Sequence, residues 1–178
     1  MRKEIELYPD DPEEFYDVLT VQMESLLKEE RQLIAGLSNA AALIYQAMED
    51  VNWAGFYLYR KGELVLGPFQ GKPACTRISS GKGVCGRALE SGQIQLVADV
   101  RTFPGHIACD SDSRSELVIP IRASGGIVGV LDLDSPSPGR FDPVDAQRLK
   151  ELTAVLAEKL DWPGKDYDVY ISEQNPIQ

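Results

Sequence analysis

Three cysteines are the side chains of this chain best suited to chemistry, and all of them lie between positions 75 and 109. Cys75 sits in Lys72-Pro-Ala-Cys-Thr-Arg77, Cys85 in Gly81-Lys-Gly-Val-Cys-Gly86, and Cys109 in Gly105-His-Ile-Ala-Cys-Asp110. None occupies an apolar run, where an inert core thiol belongs. Their glycine, proline and charged neighbours predict loops or a helix start. Cys85 falls in the first turn of a short predicted helix, where the helix dipole favours thiolate and therefore reactivity. Cys109 has His106, Arg101 and Arg114 nearby to lower its pKa, with Asp110 and Asp112 opposing them. An odd cysteine count fits thiols that are reduced at rest rather than a structural disulfide framework. A zinc site built from Cys75, Cys85, Cys109 and His106 has a suitable ligand set. The ten-residue step from Cys75 to Cys85 is nevertheless far from the usual knuckle of about two to four. His106, the only histidine, is read as a loop imidazole, and Cys-His hydrolysis has no local signature. The glycine-rich run before Cys85 lacks the Gly-Lys-Ser/Thr ending of a phosphate loop.

A second group of candidates lies on a predicted hairpin over 115–134. Centring its turn on Ser124 pairs Val118 with Val130 and Glu116 with Asp132. Leu117, Ile119, Ile121, Ile127, Leu131 and Leu133 then form the core face, and Glu116, Asp132 and Asp134 share the opposite one. Like charges facing each other on a sheet are destabilising. Such a cluster calls for a cation or for a carboxyl kept protonated by mutual repulsion. The cation is either a metal with oxygen ligands or the ammonium of a small molecule. The bland alternative is a solvated strand end with Arg114 or Arg122 as counter-ions. Trp53 and Tyr57 point away from their own strand's apolar side. If that strand neighbours the hairpin, they make an aromatic wall beside the acids, suited to methyl-bearing or cationic groups. Routine aromatic packing under a loop is the competing reading.

The elements that must position these groups follow from periodicity. Residues 10–14 read as an acidic, proline-containing helix start, after which Phe15, Val18, Leu19, Met23, Leu26 and Leu27 recur at helical spacing. Leu33, Ile34, Leu37, Ala41, Ile44 and Met48 mark a second helix. A strand over 51–59 turns at Lys61-Gly62 into another over 63–69, followed by an irregular stretch to 83. A short helix over 84–90 ends at Gly92, a strand covers 94–97, and a long loop covers 98–114. Strands over 115–121 and 127–134 precede a helix capped by Asp142 and Pro143, with Leu149, Leu152, Leu156 and Leu160 buried; Trp162-Pro-Gly stops it. The expectation is one α/β domain over 1–162 whose mostly antiparallel sheet is flanked by the N- and C-terminal helices. No βαβ repetition supports a Rossmann-type fold. The polar tail 163–178, with Tyr167, Val169 and Ile171 alternating, is either a loose end or an arm on a neighbour.

The net charge of −10 argues against nucleic acid as a partner, because no basic stripe exists to neutralise phosphates. No run approaches the ~18–20 apolar residues of a membrane span. The start of the chain lacks a signal-peptide core, so a cytoplasmic protein is expected.

Several of these stretches resemble one enzyme family. Asn52-Trp-Ala-Gly-Phe-Tyr57, Leu64-Val-Leu-Gly-Pro-Phe-Gln-Gly71, Gly83-Val-Cys-Gly86, Gly105-His-Ile-Ala-Cys-Asp110, Ser115-Glu116 and Gly129-Val-Leu-Asp-Leu-Asp-Ser135, with the cysteine spacing, are similar to the free methionine-(R)-sulfoxide reductases, which are built on a single GAF domain. The resemblance implies reduction of free L-methionine (R)-sulfoxide to methionine; the stereochemistry rests on it alone. It implies Cys109 as the nucleophile that becomes a sulfenic acid. Cys75 is implied as its resolving partner in a disulfide, and Cys85 as an auxiliary thiol able to pair with Cys75. Glu116, Asp132 and Asp134 are implied as substrate ligands, with Trp53 and Tyr57 beside them. An external dithiol, thioredoxin by expectation, regenerates the thiols, and neither metal nor organic cofactor is called for. The family and the alternating tail also make a homodimer an expectation. The competing function is a non-catalytic GAF sensor that binds a small ligand or registers oxidation through its cysteines.

Overall fold

The computed structural model describes residues 8–105 and 111–162. Its centre is a six-stranded sheet in the order β3-β2-β1-β6-β5-β4, antiparallel at every junction. The strands are β1 (Trp53–Arg60), β2 (Glu63–Gly71), β3 (Arg77–Ser79), β4 (Gln95–Val97), β5 (Ser115–Ala123) and β6 (Gly126–Ser135). The helices are α1 (Pro12–Leu26), α2 (Leu33–Ala47), α3 (Gly83–Ser91) and α4 (Pro143–Lys159). The expected α/β layering is present.

The two faces of the sheet carry different cores. Ala54, Phe56 and Leu58 of β1, Leu117, Ile119 and Ile121 of β5, and Leu131 and Leu133 of β6 pack against α1, α2 and α4. Trp53, Tyr57, Val118 and Val130 face the other way, into a smaller cluster with Val84, Cys85 and Ala88 of α3. Period-two alternation along each strand separates the two sets. The described candidates, Trp53, Tyr57, Cys75, Cys85, Glu116, Asp132 and Asp134, belong to the smaller, α3 side.

The helix ends are set by sequence. The Asp11 carboxylate accepts from the backbone of Glu13 and Glu14 to start α1. Asp142 and Asp145 form a reciprocal capping box at the start of α4. Buried Tyr16 of α1 donates to Asp145 Oδ1 at 2.6 Å, tying the first helix to that cap. Glycine closes α3, with Gly92 in the left-handed region at φ 64°.

The 115–134 hairpin corrects the sequence reading in its register. Glu116 pairs with Asp134 and Val118 with Asp132, two residues away from the expected partners. The turn consists of Ser124 and Gly125 alone, both at positive φ, as a tight two-residue hairpin demands. A bulge beside Ile121 then lets Arg122 face Ile127 while Ile121 faces Gly129. That extra residue puts Val128, not Ile127, into the core. Because the total shift is even, the acids and apolar residues keep their expected faces. In α1, Leu26 is exposed and Tyr16 takes the expected core role. The strand over 51–59 begins only at Trp53, and the loop 98–114 contains a 3₁₀ turn at Val100–Thr102.

Tyr16→Phe removes a hydrogen bond to a buried carboxylate, so unfolding free energy should fall by about 1–3 kcal/mol in denaturant titrations. No change in the midpoint would show that α1 and the α4 cap are not coupled through it.

Candidate functional site

Because β1 lies directly beside β6, the two sets of candidates meet. Trp53 pairs with Asp134, Gly55 with Asp132 and Tyr57 with Val130. On the far side of β6, Glu116 faces Asp134. The result is a half-open cleft lined by Trp53, Tyr57, Glu116, Asp132, Asp134 and Cys85, with Lys82 and Gly83 at the start of α3 on its rim. Phe69, Trp53 and Tyr57 stack in a row: Trp53 to Phe69 is 5.3 Å between ring centroids, and Trp53 to Tyr57 is 5.9 Å. Gly55 permits this row, since a Cβ there would lie 2.3 Å from Phe69 Cβ and 2.7 Å from the Trp53 ring.

The acids are not a solvated strand end. Glu116 and Asp132 are each 6% exposed. The proposed counter-ions are engaged elsewhere: Arg114 pairs with Asp99 at 3.2 Å, and Arg122 donates to the Gly92 carbonyl at 2.9 Å. Burial, then the charges of Asp132 and Asp134, pushes the Glu116 carboxyl well above its usual range. Burial likewise pushes Asp132 up to about 7, against stabilising hydrogen bonds from Cys85 and Glu116. Glu116 is therefore the better proton holder, and Asp132 the better acceptor. Asp132 Oδ1 is buried without a hydrogen-bond partner among the described residues.

Cys85 corrects the dipole argument. It is buried in the smaller core cluster. Desolvation, followed by the charges of Asp132 and Glu116, pushes its thiol well above the ordinary value. A helix terminus contributes only about 0.3–1 kcal/mol at an exposed site, too little to offset burial beside two carboxyls. Cys85 is a protonated thiol that hydrogen-bonds to Asp132, not an activated nucleophile.

Cys75 packs against the smaller cluster and is disulfide-bonded, whereas Cys85 is a free thiol. With its sulfur in a disulfide, Cys75 cannot at the same time serve in a Cys₃His zinc set. The aromatic wall also holds the Cys75 loop. Tyr57 Oη donates to the Cys75 carbonyl at 3.0 Å, and Trp53 Nε1 donates to the Lys72 carbonyl at 3.1 Å. Burial and the nearby Asp132 charge raise the Tyr57 pKa, so it stays a donor. Lys72 reaches Asp112 at 2.5 Å, linking this loop to the one that carries the third cysteine. Arg101 pairs with Asp99 at 2.8 Å and Arg114 with the same carboxylate at 3.2 Å, so the two guanidiniums share one partner. Cys109, His106, Asp110 and the tail 163–178 lie outside the described residues.

The sequence reading missed Lys82 and the uncapped start of α3, whose first turn has no side-chain cap and borders the cleft. Backbone N–H groups there suit a carboxylate. The signal lies in Gly81-Lys-Gly, a helix start whose lysine gains a role only beside the cleft.

A sheet with helices packed on one face and a small ligand-sized cleft on the other is the class of architecture to which comparison with known proteins also leads. The GAF domain family profile matches residues 35–161. The free methionine-R-sulfoxide reductase of Escherichia coli is 49% identical over 147 residues, covering 83% of this chain and 89% of the relative. That of Saccharomyces cerevisiae is 43% identical over 152 residues, covering 81% and 84%. The X-ray structure of free methionine-R-sulfoxide reductase from Neisseria meningitidis in complex with its substrate superposes with a TM-score of 0.83 at 42% identity, covering 89% of this chain and 95% of that one. The chain belongs to the GAF-domain proteins and, among them, to the free methionine-R-sulfoxide reductase family. Among the described residues, no helix is long and apolar enough to cross a membrane.

The buried acids predict a pH signature. Asp132 rises from 3.8 to about 7, so the folded state holds a proton that the unfolded chain releases. The stability this contributes is complete below the unfolded carboxylate range and is lost as pH rises through about 7. Asp132→Asn should therefore raise unfolding free energy at pH 8 by on the order of 1–3 kcal/mol, with a much smaller gain at pH 5. Equal effects at both pH values would show that Asp132 is already ionised at low pH.

Proposed function

We propose that this protein reduces free L-methionine (R)-sulfoxide to methionine, the activity named for its bacterial and yeast relatives. The observation that carries this reading is the carboxyl pair Glu116 and Asp132, buried beside the stacked Trp53 and Tyr57 in one cleft. A free amino acid presents what such a cleft needs. Its ammonium meets Asp132 and Asp134, and the unpartnered Asp132 Oδ1 gains a donor. Its carboxylate meets Lys82 and the start of α3, and its sulfoxide-bearing end lies along the aromatic row. A residue within a peptide has neither free terminus, which gives the preference for the free amino acid a charge basis.

The chemistry assigned to the site is two-electron thiol exchange. The Cys109 thiolate attacks the sulfoxide sulfur, and Glu116, held neutral by burial, protonates the oxygen as the S–O bond is transferred. Methionine leaves and Cys109 carries the oxygen as a sulfenic acid. The Cys75 thiol displaces it as water, closing a disulfide. The disulfide already found at Cys75 supports the resolving role. An external dithiol, thioredoxin in this reading, then reduces the pair by exchange, so no metal or organic cofactor takes part. Cys85, buried and hydrogen-bonded to Asp132, keeps an auxiliary role. A reducing compartment such as the cytoplasm suits this cycle, and a homodimer remains part of the proposal.

Racemic methionine sulfoxide with excess dithiothreitol should be consumed to half, leaving the S isomer, with many methionines formed per protein. A stoichiometric yield or none would favour a non-catalytic sensor. Cys109→Ser should abolish turnover, Cys85→Ser should retain much of it, and Glu116→Gln should lower kcat or raise KM by at least ~10²-fold. Equal loss in the two cysteine variants would overturn the division of roles.

A further inference from the structure

Cys85 is a buried thiol that the reaction above does not consume, yet it points at the two carboxyls that dominate the cleft. One ligand atom each from Cys85, Glu116 and Asp132 lie within 4.8 Å of one another, and all three residues are buried. Asp132 adds an independent sign of a missing ligand: its Oδ1 is buried, borders the cleft and has no partner among the described residues. We propose that Cys85 Sγ, Glu116 and Asp132 form a zinc site, with the fourth position open to the cleft, and that zinc and the amino-acid substrate exclude one another there.

The donor set argues for zinc over commoner cations. One thiolate with two carboxylates matches a borderline-soft ion of low coordination number. Calcium and magnesium require about six or more oxygens and gain nothing from sulfur. Zinc–sulfur and zinc–oxygen bonds of about 2.3 and 2.0–2.2 Å place tetrahedral donors roughly 3.3–3.8 Å apart, so the three groups must draw together from separations of up to 4.8 Å. Zinc would displace the protons held among Cys85, Glu116 and Asp132, leaving the three ligands and the ion with one net negative charge. This site differs from the Cys₃His set considered from the sequence, since it uses neither Cys75, Cys109 nor His106. Zinc binding rests on the geometry alone; the competition rests on the proposed substrate reading.

The test uses the intact protein with its Cys75 disulfide closed, so that Cys85 is the thiol under examination. After chelator treatment, zinc is titrated calorimetrically, and cobalt serves as a spectroscopic stand-in. One equivalent of zinc per chain is expected, with a thiolate-to-cobalt charge-transfer band. Cys85→Ser should lose the band and weaken zinc by at least ~100-fold, because even outer-shell partners of a metal cost ~10–100-fold. Glu116→Gln should weaken zinc while keeping the band, which covers the case of a misfolded Cys85→Ser. Zinc should also raise the apparent Kd of L-methionine in proportion to its concentration. Absence of the band in the parent protein, its persistence in Cys85→Ser, or binding that appears only after reduction of the disulfide would overturn the site. Independent binding of zinc and L-methionine would overturn the competition. Failure of sulfoxide turnover would leave the cobalt band untouched, so the two readings fall separately.

Discussion

Two carboxyl groups and a thiol are packed together out of water on the α3 side of the sheet, and the site is built around the cost of that contact. Ionised carboxylates in such surroundings are expensive unless paired or protonated. The arginines expected as counter-ions, Arg114 and Arg122, are bound instead to Asp99 and to the Gly92 carbonyl. The cluster therefore holds protons near neutrality, with Glu116 the stronger holder and Asp132 accepting from its neighbours. An acid ready to donate and an acceptor ready for an ammonium arise from one desolvation effect.

The rest of the fold secures that arrangement. Antiparallel pairing of β1, β6 and β5 places Trp53, Gly55 and Tyr57 in register with the acids. The larger core under α1, α2 and α4 makes the sheet a rigid floor. The aromatic side chains both wall the cleft and hold the Cys75 loop through Tyr57 Oη and Trp53 Nε1. The aromatic wall of the cleft is thus mechanically joined to the loop that carries a disulfide-bonded cysteine.

Much of this was legible from alternation alone. The period-two pattern of 51–59 and of 115–134 assigned every acid and aromatic of the cleft to the correct face. The helix caps at Asp11, Asp142 and Gly92 were readable from residue type. What alternation could not give was register, because a bulge at Val128 and a two-residue turn decide it, and neither leaves a period. The state of Cys85 was also hidden. Its local sequence announces a helix start, but its pKa is set by burial against Asp132 and Glu116, which are distant in the chain and adjacent in space. Lys82 went unrecognised for a related reason, since a lysine before a helix acquires meaning only when the cleft it borders is known.

Carboxyl carbon-13 chemical shifts of Glu116 and Asp132, followed by NMR from about pH 4 to pH 9, test the central claim most directly. The account predicts that the pair retains a proton at pH 7, held mainly by Glu116. Two carboxyls that are both fully ionised by pH 5 would contradict it.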